Sequence, residues 1–267
     1  MRFEEVFCQK CISKSALADY AVNPYVGCQH QCVYCYVPYI TRNPDWKTSV
    51  KAKVNLHARL AKELASPKIK RGSTFFLAST TDPYQPLESK YGLSSDALRQ
   101  LTSAGMRVIV QTKSPLILKD IDVLKENSAE VEVGFTVLGM DGRFKDALEP
   151  ASPSIESRLK AIEKLSEVGV RVYAFLGPVI PGWTDVDLNE LLMVLREAGV
   201  AELSVDKLRL RPGMAEEIIA KMPASRFASA LELAQASQAA YVEAFKSVRD
   251  FAEKNHMVFS APFSYRG

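Results

Sequence analysis

The sequence predicts an α/β protein, a partial (β/α)6 barrel of the TIM type whose parallel strands lead into a helical C-terminal extension. Three observations predict it. Apolar runs of strand length alternate with helical periods, giving six β-then-α units. Gly105, Gly169 and Gly199 each stand where a helix must stop and turn into the next strand. After Arg211 the alternation gives way to a long helical region.

The elements follow in order. A first strand is expected at Ala21–Val26, with a helix over Ser49–Leu64 behind it. Thr74–Ala78 and Arg107–Gln111 read as the second and third strands, followed by helices at Ser94–Ala104 and Pro115–Glu126. Val131–Leu138, Val170–Leu176 and Ala201–Leu210 complete the six strands, with helices at Ser154–Val168 and Val186–Ala198 between them. The helices carry apolar residues at three and four spacing, and several open on a Ser or Asp that caps the first turn. The near-continuous apolar runs Val108-Ile109-Val110 and Val131–Leu138 predict strands covered on both faces, as in a parallel sheet. Right-handed crossovers then curl the units into a barrel short of eight. Beyond it, helix is expected over Ala215–Asn255 with a break near Pro223, and a last strand at Val258–Ala261. The chain divides into an N-terminal extension (1–20), the barrel core (21–211) and a helical extension packed on it (212–267).

With 267 residues, 47% of them hydrophobic, the chain is long enough for one large core, and no linker divides it. Charged residues interrupt every apolar stretch before the roughly 20 residues a membrane span requires. No segment resembles a signal peptide, so the expected compartment is the cytoplasm, where thiols stay reduced. Thirty-four basic against 31 acidic residues give a net charge of +3, too small to diagnose a nucleic-acid binder by itself. Two local basic clusters stand out. Lys68-Ile69-Lys70-Arg71 reads as a solvated turn before a strand, whereas alternation places Lys207, Arg209 and Arg211 on one strand face that must meet acids, an anionic ligand or water.

Chemistry concentrates in Cys28-Gln-His-Gln-Cys32-Val-Tyr-Cys35. Three thiolates at this spacing suit three corners of a [4Fe-4S] cluster, leaving the fourth iron open to a small molecule. Cys32 and Cys35 also suit zinc, with His30 nearby and Cys8 and Cys11 as the distant second pair. A disulfide framework is disfavoured because five cysteines are few and odd in number. Cys8 and Cys11 read as a second metal half-site, a redox dithiol or reduced bystanders. His30, His57 and His256 lack metal-ligand spacing and read as surface or supporting groups.

The Cys-x3-Cys-x2-Cys run with Tyr34 before its last cysteine resembles the signature of radical S-adenosylmethionine (SAM) enzymes. Asn23–Gly27, Ser79–Pro86, Gln111–Ser114, Leu148–Pro150 and Gly177–Gly182 together resemble the group named DNA repair photolyases, which is similar to spore photoproduct lyase. The resemblance runs from about Lys14 to about Asp185.

That resemblance implies a (β/α)6 core, a cluster on Cys28, Cys32 and Cys35, and SAM chelating the open iron through its amino and carboxylate groups. It implies that Tyr34 lies against the adenine and that the loop after the second strand, here Ser79, Thr80, Thr81 and Asp82, meets the methionine ammonium. An alternative for Asp82 is that it simply opens a turn before Pro83. Thr136 is expected near the ribose or carboxylate, and Lys113 near that carboxylate or a substrate phosphate. The Gly177–Gly182 stretch, Val179 included, suits close backbone approach to the flat adenine, or is a structural loop. The implied reaction is reductive cleavage of SAM by an electron from an external donor of flavodoxin or ferredoxin type. It yields a 5′-deoxyadenosyl radical that takes hydrogen from a bulky substrate, nucleic acid being a candidate. Spore photoproduct lyase returns hydrogen through a cysteine, but no cysteine follows Cys35, which leaves Tyr173, Tyr241 and Tyr265 as candidates. The competing reading is a non-catalytic zinc or iron-sulfur module that binds nucleic acid or a protein partner.

Overall fold

Strictly alternating or fully apolar segments build the main sheet. In the computed structural model, which describes residues 1–43, 45–222 and 227–261, these segments pair in chain order. Before the sheet closes its first crossover come β1 (Arg2–Val6), β2 (Ile12–Lys14), β3 (Tyr20–Val22), β4 (Tyr25–Val26), α1 (Val37–Thr41), β5 (Ser49–Lys53) and α2 (Leu56–Leu64). There follow β6 (Thr74–Leu77), α3 (Glu88–Tyr91), α4 (Leu93–Ser103), β7 (Arg107–Thr112), α5 (Ile121–Glu126), β8 (Val131–Thr136), α6 (Gly142–Leu148) and α7 (Ile155–Glu167). The chain then forms β9 (Arg171–Val179), α8 (Leu188–Glu197), β10 (Glu202–Lys207), α9 (Met214–Lys221), α10 (Ala230–Lys254) and β11 (Val258–Ser260).

An eight-stranded sheet runs in the order β11-β10-β9-β8-β7-β6-β3-β2. From β3 to β10 its neighbours are all parallel, which is the predicted six-strand α/β core; β11 adds a parallel strand beside β10, and β2 an antiparallel one beside β3. Val108 and Val110 on β7 and Val131, Val133 and Phe135 on β8 are at most 2% exposed, as strands covered by helices on one side and barrel interior on the other must be. Ala97, Leu98 and Leu101 of α4 and Ala161, Ile162 and Leu165 of α7 supply the covering layer. Ser154 caps α7 by accepting from the Ser157 amide, and Gly105, Gly169 and Gly199 take positive φ just beyond their helices.

Three expected elements differ. The segment Ala21–Val26 is not one strand: Asn23-Pro24 breaks it, and β4 leaves the main sheet for a three-stranded one ordered β1-β5-β4. The expected helix Ser49–Leu64 begins instead as β5, because Val50 and Ala52 are buried on one face while Lys51 and Lys53 point away, a period of two. Pro115–Asp120 is a 3-10 turn that leads into α5. Within the helical extension, Val248 and Ala252 of α10 enter the main core, and β11 falls at Val258–Ser260. The break near Pro223 lies outside the described residues. No helix among them is long and apolar enough to cross a membrane.

Candidate active site

Gly27 fixes how the cysteine loop leaves β4. Its φ is +96°, and a Cβ there would lie 2.3 Å from the Ser49 carbonyl oxygen, so only glycine fits. The Gly27 carbonyl accepts from the Thr81 hydroxyl and from Gln85 Nε2, which ties the loop to the one that follows β6. Gln29 strengthens the tie: its amide donates to Gln85 Oε1 at 2.9 Å and its side-chain oxygen accepts from the Leu87 amide at 2.6 Å. On the other side the Val33 amide donates to the Leu148 carbonyl at 2.9 Å, and the Ala151 amide to the His30 carbonyl at 3.4 Å. Two independent loops thus clamp the cysteines.

Cys28, Cys32 and Cys35 open on one cavity of about 530 Å³ at the carboxyl ends of the parallel strands. Ser79, Thr80, Thr81 and Asp82 line it from the loop after β6, Lys113 from the loop after β7, Thr136 from the end of β8, and Tyr34 from the cysteine loop. The structure therefore brings together every site residue expected from the sequence except Val179. That side chain is fully buried with Val205, Ala240 and Tyr241, while its neighbours Gly177 and Pro178 line the cavity. Lys207, Arg209 and Arg211 also line it, but β10 ends at Lys207, so Arg209 and Arg211 meet the cavity from the segment after the strand and the three do not share one strand face. Cys11 lies elsewhere, buried in the main core with its amide on Glu63 Oε1 at 3.0 Å. His57 is exposed and 2.8 Å from Asp96.

The donor set fits an iron-sulfur cluster. Burial pushes the Cys32 thiol up to about 12 and raises Cys28 and Cys35 as well, Cys28 also under the nearby charge of Asp82. Thiols raised in this way ionise readily only against a strongly positive centre. Among the described residues no three His, Cys, Asp or Glu side chains gather tightly enough for a single metal ion. Three thiols that open on one cavity are a donor set that suits the three ligated corners of an iron-sulfur cluster. His30, read from the sequence as a surface or supporting group, is 1% exposed and lines the same cavity, and its Nε2 has no hydrogen-bond partner among the described residues.

Asp82 organises the far wall. Oδ1 accepts from the Tyr84 amide at 2.9 Å and the Thr112 hydroxyl at 2.7 Å; Oδ2 accepts from the Lys113 amide at 2.8 Å and lies 3.3 Å from His30 Nδ1. Burial alone would push this carboxyl up, but His30 and the hydrogen bonds outweigh it and hold the pKa down to about 2. Asp82 thus does begin a turn, and joins three loops besides. Thr80 donates its hydroxyl to Asn23 Oδ1 at 2.9 Å, so its oxygen lone pairs remain for a cation.

Two residues with no role assigned from sequence complete the site. Glu149, fully buried, accepts from the Tyr34 hydroxyl, from Arg158 and from Ser152 Oγ at 3.1 Å, and lies 3.7 Å from Lys113 Nζ. Arg158 is 1% exposed although it sits in the first turns of α7. The Leu148-Glu149-Pro150 motif marked the first; nothing in the helical period of α7 marked the second.

A model of the radical SAM superfamily matches residues 22–195. An uncharacterised protein of Methanocaldococcus jannaschii is 34% identical over 173 residues, 64% of this chain and 64% of that one. One from Mycobacterium tuberculosis is 32% identical over 225 residues, 78% of this chain and 66% of that one. The chain thus spans just under two thirds of the length of these relatives. Among solved structures, spore photoproduct lyase with bound AdoMet and dinucleoside spore photoproduct matches with a TM-score of 0.72 at 16% identity, over 97% of this chain and 81% of that one, a likeness of fold. The superfamily match spans most of the barrel, and its three-cysteine motif opens on the cavity at the strands' carboxyl ends: this chain belongs to the radical SAM superfamily.

Proposed function

We propose that this chain holds a [4Fe-4S] cluster on Cys28, Cys32 and Cys35, cleaves SAM beside it, and acts on a bulky anionic substrate of the nucleic-acid class. The observation that carries the reading is the shared cavity: three thiols, a polar wall and a cationic rim face one space of about 530 Å³. When bound, cluster and SAM supply one-electron cleavage of the sulfonium carbon-sulfur bond, giving methionine and a 5′-deoxyadenosyl radical that takes hydrogen from substrate.

The chain's own residues bind and orient. Ser79 and Thr80 offer hydroxyl oxygens to an ammonium, while Asp82, its oxygens already engaged, adds negative charge and rigidity. Lys113 reaches the same cavity with a cation suited to a carboxylate. Tyr34, held by Glu149, lines the cavity where an adenine would lie against it. Thr136 accepts from Gln111 Nε2 at 3.4 Å and stands where a ribose hydroxyl would reach it. Val179 contributes through the turn of its strand end, not its side chain.

For the substrate, Lys207 and Arg211 and the exposed Tyr36 and Ile40, all lining the cavity, combine cations with stacking surface, a pairing suited to single-stranded nucleic acid. The lyase of like fold, solved with a dinucleoside photoproduct, supports the same class. The same net reaction is not implied, since no cysteine follows Cys35. Of the tyrosines considered as hydrogen donors, Tyr173 hydrogen-bonds at 3.2 Å to Gln111, which lines the cavity; Tyr241 lies in an apolar cluster, and Tyr265 is outside the described residues. An external low-potential donor of flavodoxin or ferredoxin type supplies the electron. Membership of the superfamily favours this enzyme over a non-catalytic metal module.

Anaerobic purification tests the reading. Brown protein with about four irons per chain that forms 5′-deoxyadenosine from SAM and dithionite is expected, with Cys32→Ala inactive and colourless. Deuterium passing from labelled DNA or RNA into 5′-deoxyadenosine identifies the substrate class. Colourless, zinc-loaded protein, or deuterium arriving only from small metabolites, overturns the corresponding half.

A further inference from the structure

Asp206 is an acid set among cations. It lines the cavity with Lys207, Arg209 and Arg211; its Oδ1 accepts from the Lys207 amide at 2.9 Å and its Oδ2 from Arg209 Nη1 at 2.5 Å. The fold turns it there. Val205 packs with Val179 and Ala240 on the other side of the sheet, so alternation carries Asp206 to the cavity side, at the point where β9 and β10 shift register. The other carboxylate among the described residues lining this space, Asp82, is engaged by the loops that it joins.

A surface that only gathers phosphates has no use for a carboxylate, which repels them and, at 7% exposure, is costly to bury. The Lys207 amide needs no charge either, since a neutral side-chain oxygen would accept from it. With one bond on each oxygen, the carboxylate keeps a further acceptor site on each. Exposed Tyr36 completes the arrangement. Burial and the Cys35 thiol push its hydroxyl up, Asp206 adds to this and Arg209 opposes it, so the ring stands within electrostatic reach of both. An aromatic face beside an acceptor and donor pair reads an unstacked base, ring on ring and edge on edge.

Guanine fits this pair best. Its Watson-Crick edge presents two parallel donors, N1–H and N2–H, next to the O6 acceptor, so a carboxylate takes both donors and a guanidinium donates to the oxygen. Thymine and uracil offer one donor flanked by carbonyls, which sets oxygen against oxygen. Adenine and cytosine offer one amino donor beside a ring nitrogen, which leaves the second carboxylate oxygen unanswered.

We propose that Asp206 and Arg209 are specificity-determining residues that read a guanine base of a single-stranded substrate stacked on Tyr36, while Lys207 and Arg211 meet the flanking phosphates. The inference rests on the nucleic-acid reading above and adds the base to it. No covalent bond forms or breaks.

The test is fluorescence anisotropy of the reconstituted full chain with oligothymidines that carry one central dG, deoxyinosine, dA, dC or dT. The dG strand binds about tenfold more tightly than the dT strand, and the deoxyinosine strand, which lacks only the N2 donor, falls between them. Asp206→Asn separates base reading from bulk charge. Removing an acid from a cationic rim tightens every strand alike if phosphates are all that it meets, whereas a base reader loses dG affinity selectively because the amide NH2 faces guanine's own donors. Equal affinities across the wild-type series, or an Asp206→Asn chain that binds dG more tightly, overturn the proposal. If Asp206→Asn fails to fold, the wild-type series decides alone, and dG and deoxyinosine strands that bind alike overturn it. Absence of salt-dependent binding to any strand refutes the nucleic-acid reading and this inference with it, while salt-dependent binding without base preference refutes this inference alone.

Discussion

The Asp82 carboxylate accepts the Thr112 hydroxyl at 2.7 Å, joining the loop after β6 to the end of β7. Its other oxygen holds the Lys113 amide and faces His30 of the cysteine loop, so one buried side chain sets the relative position of three site loops. Asp82→Ala leaves two amides and a hydroxyl without their acceptor in a buried place. It should lower unfolding stability by about 3 kcal/mol, measured by urea denaturation of the metal-free chain. Loss below about 0.5 kcal/mol, within the range of surface substitutions, would contradict this role.

The same carboxylate gives an acid limb. Its pKa in the folded chain is held down to about 2, below the ordinary 3.8, so its stabilisation is complete above 3.8 and is lost as pH falls toward 2. The depression amounts to about 2 kcal/mol, at 1.36 kcal/mol per unit. Stability measured between pH 5 and 2 should therefore fall less steeply in Asp82→Asn than in wild type, the two curves drawing together at the acid end. Parallel curves would mean that another carboxylate governs the limb.

How much of this was legible in the sequence depends on whether the signal is local. The strands β7 and β8 were legible because a run such as Val108-Ile109-Val110 has one use, to be covered on both faces. The cysteine loop was legible because ligand spacing is a chain-local property. Ser49–Lys53 was misread as helix because five alternating residues fit either period until the partner strands β1 and β4 are known. Arg158 was invisible for a different reason. A helix position reads as exposed from its charge, and only the fold reveals a buried Glu149 waiting beneath it. Val179 shows the limit of a motif: alternation from Phe175 and Gly177 would carry it to the cavity face, but the pairing of β9 with β10 shifts register between Val205 and Lys207, and Val179 packs with Val205, Ala240 and Tyr241 instead.

Gly134 and Tyr173 form a size pair on adjacent strands. A Cβ at Gly134 would come within 2.0 Å of the Tyr173 ring, which fills that space and passes its hydroxyl to Gln111 at 3.2 Å. Gly134→Ala should cost about 1–3 kcal/mol by overpacking. Tyr173→Ala removes the ring, so the double variant should be more stable than the two single losses added together. A double-mutant cycle in urea measures this coupling, and strict additivity would refute direct packing.

Gly27 is the position where site and backbone strain coincide. Alanine there meets the Ser49 carbonyl oxygen at 2.3 Å and must also hold φ at +96°. The neighbouring carbonyl is the acceptor of Thr81 and Gln85, so any shift of Gly27 displaces Cys28 from the cavity wall. Gly27→Ala should fold with the sheet intact by circular dichroism yet retain less than about half of the wild-type iron after reconstitution, because one misplaced thiolate of three weakens the site. Full iron retention would show that the loop adapts.

The cationic rim makes the last prediction quantitative. Lys207 and Arg211 line the cavity, while Arg209 between them hydrogen-bonds Asp206 at 2.5 Å. A cation that neutralises a phosphate releases a condensed counterion, so for single strands each contact contributes about 0.7 to the slope of log affinity against log salt. Lys207→Ala with Arg211→Ala should therefore weaken binding of a short single-stranded oligonucleotide and flatten that slope by roughly 1.4, twice the contribution per contact. Arg209→Ala should have a smaller effect on the slope, since its charge is already answered by Asp206. Fluorescence anisotropy across a salt series reads all three. Lys207 and Arg211 share the cavity with the cysteines, so iron content is measured alongside, and a wild-type iron level separates loss of a phosphate contact from damage to the metal site. An unchanged slope in the double variant would assign the rim to something other than phosphates and remove the electrostatic support for a nucleic-acid substrate.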